Sequence, residues 1–472
     1  MASEAGPDRV PMRIVCRVCG AVNGAERRYC SSCWSRLERG RLLTEREEVA
    51  YVIRRRRLDL LRRYRRWVLL VSVAAVLSIL GYRYFKAPSP LPPAATAVTS
   101  LSTPGSWSME GYNPQHTRYA PGPAPTFQGR LKWTFTTSEP FLASPVVAGD
   151  AVYIATADNR IVALDAATGA VRWQVATTGP VDSTPAVAGD TLYVGLRDGT
   201  ILALAAATGQ QRWVLKTGGP AHAPPVVVNG EVYVGAGDKR IYALDAATGK
   251  LRWRGKVGDW VSQAVSVADN ILVAAVGGAI YYFDTRTGEK IFDYRVGLTV
   301  AGAPAVNGSV VYASDRTFGV RAIDLQARQG FWEKPLRRVW GQLDIWGMAP
   351  SLPPPTGFMW AFIADGGVGS AIAVTDDALY FGTGSGQVVA LDPQTQRPLW
   401  TFQTGARVDS SPAIVGDTLY VGSFDGFIYA LDASTGELRW RFATGGPIHT
   451  NPAVSRWGVF VTGDDGVLYA IE

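Results

Sequence analysis

Residues 144–175 read SPVVAGDAVYIATADNRIVALDAATGAVRWQV, and this stretch decides the fold. Its landmarks are Ser144-Pro145, Gly149-Asp150, Tyr153, Ala163-Leu164-Asp165, Thr168-Gly169 and Trp173. The next unit places Pro185, Gly189-Asp190, Tyr193, Thr208-Gly209 and Trp213 each forty residues later. Four short strands per unit at a fixed period of this size predict an all-β fold, a β-propeller.

Units open at Pro145, Pro185, Pro225, Ala264, Pro304, Ile372, Pro412 and Pro452, which makes an eight-bladed ring. An aromatic fourth strand is predicted at Trp133, Trp173, Trp213, Trp253, Phe292, Trp332, Trp400 and Trp440. The first of these precedes the first unit, and none follows the last. Leu131–Phe135 is therefore predicted to supply the outer strand for residues 450–472, which pairs the two ends of the ring and removes its open edge. The tryptophans should pack between neighbouring sheets. Each Thr-Gly should form a tight hairpin with its glycine at positive φ. One step is sixty-eight residues long and carries an insertion at 334–369. It holds Trp340, Trp346, Leu352, three prolines at 353–355, Phe358, Trp360 and Phe362. A long aromatic loop in a compact repeat is expected either to cap a face of the ring or to dock a protein partner.

The chain has only four cysteines, all before residue 34: Cys16, Cys19, Cys30 and Cys33. Two Cys-x-x-Cys knuckles at this separation can close four thiolates around Zn²⁺. Residues 12–36 resemble a zinc ribbon, with Gly20 in the turn after the first knuckle. Such a short segment would draw its folding energy from the metal. A Cys₄ site is coordinatively closed, hence structural. No cysteine is left to cross-link the ring.

The formal net charge is +7, but the excess lies in residues 1–66. Eight arginines fall between positions 54 and 66, and the ring is close to neutral. The charge therefore marks a juxtamembrane arm, and no nucleic-acid partner is expected. Thr44 and Glu47 form a capping box opening a basic helix over 44–66. The apolar run at 67–85 follows, flanked by Trp67, Tyr82, Tyr84 and Phe85, and is predicted to be a single transmembrane helix. The arginine bias puts the N-terminus in the cytoplasm and the propeller outside. Residues 87–106, rich in Pro, Ala, Ser and Thr, read as an extended linker.

The pattern Ala-x-Asp-x-x-Thr-Gly-x-x-x-Trp at Ala163–Trp173, Ala243–Trp253 and Ala430–Trp440 resembles the pyrroloquinoline-quinone-type (PQQ-like) repeat. So does the lead-in from Trp107 to His116. The resemblance covers 107–472. It implies either a quinoprotein dehydrogenase or a non-catalytic propeller, such as the lipoprotein subunit of the outer-membrane β-barrel assembly machine. The dehydrogenases resemble one another in an adjacent Cys-Cys disulfide, Ca²⁺-binding Glu, Asn and Asp residues, and a catalytic Asp. The ring has no cysteine and no calcium set by motif, so PQQ is not expected.

The position three before each opening residue should lie at the mouth of the central channel. It reads Leu142, Asp182, His222, Val261, Ala301, Gly369, Asp409 and His449. Asp182 with His222 and Asp409 with His449 sit on adjacent blades. Four such side chains facing one funnel are candidate ligands for a metal ion or a polar molecule; the alternative is a solvated rim. The expectation is a membrane-anchored, non-catalytic binding scaffold, with the quinoprotein oxidoreductase and the outer-membrane assembly factor as alternatives.

Overall fold

The structure is a computed structural model that describes residues 12–19, 21–38, 41–86, 106–295, 299–328 and 333–472. Residues 87–105 of the linker expected at 87–106, Gly20 and Trp332 lie outside the described residues. The chain divides into two units, Met1–Ala87 and Pro88–Glu472.

In the first unit, strands Arg13–Val15, Val22–Gly24 and Arg41–Leu43 form one small sheet, with Arg13–Val15 in the middle. A single helix, α1 (Glu45–Lys86), follows. Glu47 accepts the Thr44 backbone N–H at 2.9 Å, the reciprocal half of the expected capping box. The Thr44 hydroxyl also turns to this carboxylate, at 3.0 Å. The basic and apolar segments expected as two helices are one, because no proline interrupts the run between them. Among the described residues no helix is long and apolar enough to cross a membrane.

Among the described residues the second unit holds eight successive sheets built on four antiparallel strands, seven of them in sequence order from the channel outward. The first is built from Val146–Ala148, Ala151–Thr156, Arg160–Asp165 and Val171–Ala176. The eighth takes its outer strand, Leu131–Thr136, from the start of the unit, with Ala470 opposite Trp133. The two ends of the ring are thus hydrogen-bonded into one sheet, as the strand count required.

The core lies between sheets. Tyr153 and Ala163 of the first pack with Leu192 and Leu204 of the second. The middle strands are apolar on both faces because a neighbouring sheet covers each face. The outer strands alternate. Six outer-strand tryptophans lie over the turn glycine of the next sheet: a Cβ on Gly209 would come within 2.7 Å of Trp173. That glycine sits at φ +73°, where a side chain is strained in any case. The Trp173 indole donates to Ala206 O at 2.9 Å, and Trp213 donates to Ala246 O at 2.9 Å.

One strand falls elsewhere than expected. The outer strand of the fifth sheet is Phe358–Ile363, with Trp360 opposite Ala322; Trp332 does not supply it. The insertion therefore lies between the third and fourth strands, from Leu325 to Gly357, and contains α2 (Glu333–Ile345). Pro335 explains the difference. It suits the first turn of a helix, where its missing N–H is not needed, and it would break an outer strand centred on Trp332. The insertion folds on itself: Arg337 donates to Pro353 O at 2.8 Å and Trp340 to Pro350 O at 2.9 Å.

Trp213→Ala removes a side chain only 8% exposed. It should cost about 3–5 kcal/mol in urea denaturation. Trp360→Ala should cost a similar amount, as its place in the fifth sheet requires.

Candidate functional site

The channel mouth is built by the loops that enter the inner strands. A cavity of about 470 Å³ opens there, lined by Leu142, Asp182, His222, Ala301, Gly369, Asp409 and His449, seven of the eight register positions. Val261, the eighth, is buried.

Of the two adjacent-blade couples, one is in contact. His222 Nδ1 lies 2.7 Å from Asp182 Oδ2, across adjacent sheets. Arg197 binds the same oxygen at 3.0 Å. Asp182 is half buried, and burial alone would raise its pKa. The hydrogen bonds and charges of His222 and Arg197 outweigh that and hold it below the usual carboxylate range. His449 does not pair with Asp409. Its Nδ1 lies 2.5 Å from Asp464, on the loop between the second and third strands of its own sheet. Asp409 turns instead between Arg407 and Arg316, at 3.6 and 3.8 Å. It also lies across Gly369: a Cβ there would meet Asp409 Oδ1 at 2.2 Å. The four predicted side chains thus share one funnel, but as separate ion pairs rather than one ligand set.

The funnel is closed below by the lead-in. Backbone carbonyls of Trp107, Ser108, Pro114, Gln115, Thr117 and Arg118 accept from Val147, Val187, Val267, Val306, Val374 and Ile414 in turn. Each donor is the second residue of an inner strand, so one segment crosses the channel and ties six sheets together. Tyr119–Ala120 then pairs in parallel with the inner strand of the seventh sheet. Glu110 reaches the funnel from this floor and is held by Arg118, only 1% exposed, at 2.9 Å. His116, fully buried, has neither ring nitrogen hydrogen-bonded. Burial, with the Arg118 charge beside it, pushes its pKa down to about 3, so the ring is neutral.

Above the floor runs a hydrogen-bond circuit that the sequence reading missed. Ala371 N–H donates to Ser411 Oγ, Ser411 N–H to Asn451 Oδ1, Asn451 N–H to Ser144 Oγ, and Ser144 N–H to Thr184 Oγ1, at 2.7–3.1 Å. These residues sit one before each opening residue, so the same forty-residue register carried the signal. Arg197 and Arg316 also stand at one register position, twelve residues after Pro185 and Pro304, so the same register carried a signal for them.

In the first unit the sulfur atoms of Cys16, Cys19, Cys30 and Cys33 all lie within 4.8 Å of one another. Cys16–Cys33 and Cys19–Cys30 are 3.6 and 3.4 Å apart. A tetrahedron with metal–sulfur bonds of about 2.3 Å has edges of about 3.8 Å, so four thiolates here fit one metal ion. Backbone N–H groups, that of Cys19 first, with the Ser35 hydroxyl, lower Cys16 to about 6. Cys19 is raised to about 11: the Ala21 N–H lowers it, but the Cys33 and Cys30 thiols and burial prevail. A cluster that resists ionising all its thiols together is one a cation would stabilise.

The sequence profile of the PQQ_2 family, described as outer membrane protein assembly factor BamB, matches residues 124–221, 199–349, 337–426 and 385–472. The chain belongs to this family. No curated protein matches the sequence. Among solved structures, BamB from Moraxella catarrhalis is 20% identical over 72% of this chain and 96% of that one, with a TM-score of 0.55. Quinohemoprotein alcohol dehydrogenase from Comamonas testosteroni is 15% identical over 78% of this chain and 81% of that one, TM-score 0.61. The computationally designed Ika8 protein is 18% identical over 73% of this chain and 99% of that one, TM-score 0.58. An assembly factor, a dehydrogenase and a design share the architecture, so the likeness shows the PQQ-like propeller fold and leaves function to the site.

The quinone that part of this fold group binds is tested by the funnel itself. A planar tricyclic acid needs a flat surface to stack on and cations for its carboxylates. No phenylalanine, tyrosine or tryptophan lines the cavity, and its two arginines, Arg316 and Arg407, are already drawn to Asp409. The lining does not fit that group.

The sign of the Asp182 effect on stability follows from its lowered pKa. A carboxylate depressed in the folded state stabilises above its unfolded value, about 3.9, and loses that contribution as pH falls through the folded value. Asp182→Asn should therefore lower the denaturation midpoint at pH 7. Its gap from the parent should close in a pH series run down to pH 3.

Proposed function

We propose that this protein is a non-catalytic binding scaffold whose propeller holds a protein or envelope partner. The observation that carries this reading is the state of the funnel carboxylates. Glu110 is held by Arg118, Asp182 by Arg197 and His222, and Asp409 by Arg407 and Arg316. Each carboxylate faces at least one cation that favours its ionised form, which disfavours its taking up a proton as a general base. The family description supports a protein partner, as does its Moraxella member. Assembly of outer-membrane proteins is the finer version of the reading, and the family description is its only support.

The second half of α1 is the proposed anchor. Trp67, Val68, Leu69, Val71, Val73, Val76 and Leu77 are between 44 and 68% exposed. At 100° per residue they point to every side of the helix, and a helix apolar all round seeks lipid rather than one protein face. With the arginines before it and few cations after it, the positive-inside rule places the four-cysteine unit in the cytoplasm and the propeller outside. The proposed ion among the cysteines is a structural Zn²⁺.

Tagged full-length protein, extracted in mild detergent and washed, should retain a reproducible partner, whereas repeated recovery of bare protein would count against the scaffold. Addition of pyrroloquinoline quinone and Ca²⁺ should give neither a bound chromophore nor dye reduction with alcohols; either signal would replace the scaffold by an oxidoreductase. Elemental analysis should find about one zinc per chain, lost in Cys16→Ser with Cys30→Ser. Protease added outside right-side-out vesicles should cut residues 87–105 and release the propeller.

A further inference from the structure

The outer strands form the rim of the ring, and each leaves one edge of main-chain N–H and C=O groups unpaired within its sheet. Such an edge can pair with another chain, and proteins blunt it with charged or polar side chains or with proline. In each outer strand the residues one before, one after and three after the central aromatic residue share a face. In seven sheets at least two of these three are polar or charged. The third sheet has Arg252, Arg254 and Lys256. The sixth, whose outer strand has no charge, has Thr401 and Gln403 and opens with Pro398.

The fifth sheet breaks this rule. Its three residues are Met359, Ala361 and Ile363, all exposed, with Met359 at 48% and Ile363 at 79%. From Phe358 to Ile363 the strand has no charge, no hydroxyl, no amide side chain and no proline. A bulge lies at its start, but the other outer strands have the same bulge, so it does not set the fifth apart. Ala364 donates inward, to Phe318 O at 3.0 Å. By the alternation of an antiparallel pair, Ala361 and Ile363 therefore aim their main-chain groups away from the sheet. No described strand meets them.

We propose that this edge is a dimer interface, at which two copies of the chain pair their Phe358–Ile363 strands antiparallel about a two-fold axis through Ala361. The strand is its own complement. Ala361 faces Ala361, Met359 faces Ile363 and Trp360 faces Phe362 of the second copy, so small meets small and apolar meets apolar. The same pairing in the third sheet would set Arg254 against Arg254. A two-fold contact also closes on itself, because each copy covers the other's edge and none is left over. A lone foreign strand would add a bare edge of its own. The interface is independent of the scaffold reading.

Sedimentation velocity of the full-length protein in density-matched detergent should show a dimer that dissociates on dilution. Ala361→Lys sets two cations against each other across the axis and should weaken the dimer roughly tenfold or more, as should Ala361→Asp. An equal mixture of the two variants should dimerise again, because each cation then meets a carboxylate. Arg254 and Asp293 hold the equivalent place in the third and fourth sheets, so both variants should keep the parent Tm in thermal denaturation. Parent protein that stays monomeric at its highest soluble concentration overturns the proposal, as does a dimer that neither variant weakens. Failure of the mixture to recover overturns the two-fold pairing. A monomeric parent whose Ala361→Lys variant loses a retained protein partner would assign the edge to a foreign strand, and overturns the second copy.

Discussion

The ring depends on one contact repeated between sheets: a tryptophan of the outer strand laid across the turn glycine of the next sheet, with its indole N–H on that turn's carbonyl. The contact buries a large apolar face and satisfies the one polar atom that burial would otherwise orphan. It needs both partners. A Cβ at the turn glycine would strike the ring at under 3 Å in each of Gly169, Gly209, Gly249, Gly288 and Gly436. Tryptophan and glycine are therefore a single requirement read thirty-six residues apart in the first two sheets, as in Trp133 with Gly169 and Trp173 with Gly209. The sixth sheet departs from it, with Gln396 at positive φ where the others have glycine. There the chain meets the same backbone demand with a residue that seldom adopts it.

This coupling explains why the fold was legible. Trp133 before the first unit and none after the last told the strand order of the closing sheet, and Ala470 does sit opposite Trp133. The reading failed where an aromatic residue imitated the landmark. Trp332 stands near the expected spacing, yet Pro335 follows it and the turn glycine needed before a fourth strand is Gly357, ahead of Phe358–Ile363. Spacing alone could not tell the two tryptophans apart, whereas backbone hydrogen bonding does. In the funnel, register placed Asp182, His222, Asp409 and His449 at one mouth. It did not say which would pair, because the partners Arg197, Arg316 and Asp464 stand at a second register position, twelve residues after Pro185, Pro304 and Pro452, that was not read against the first. The same limit applied to the lead-in, which was noted only as a resemblance. Its structural role appears once its carbonyls are seen on six inner strands.

An inner strand has one edge paired within its sheet and one facing the channel, and the free edge must be satisfied. Two devices do this. Ser144, Thr184, Ser411 and Asn451 take N–H groups from neighbouring sheets. The lead-in takes N–H groups at the next level down. Both draw the channel shut, so what remains is a blind polar cup. Desolvating Glu110, Asp182 and Asp409 in such a cup would be costly without countercharge, and the arginines supply it.

That arrangement bears on function more strongly than the architecture does. Catalysis of proton or hydride transfer wants a group whose charge is free to change as the reaction proceeds. A carboxylate already hydrogen-bonded to arginine has been stabilised in its ionised ground state, so protonating it or drawing it to a metal must first break that pair. In the cup this holds for Glu110 and Asp182, and Asp409 lies between two arginines at 3.6 and 3.8 Å. A binding surface has no such need, because it works by geometry that does not change. The paired charges, the tied floor and the interlocked sheets all lower the freedom of the channel. A rigid ring of this kind loses little entropy when it meets a partner, which is what a scaffold requires and what a catalytic centre built from the same residues would have to undo.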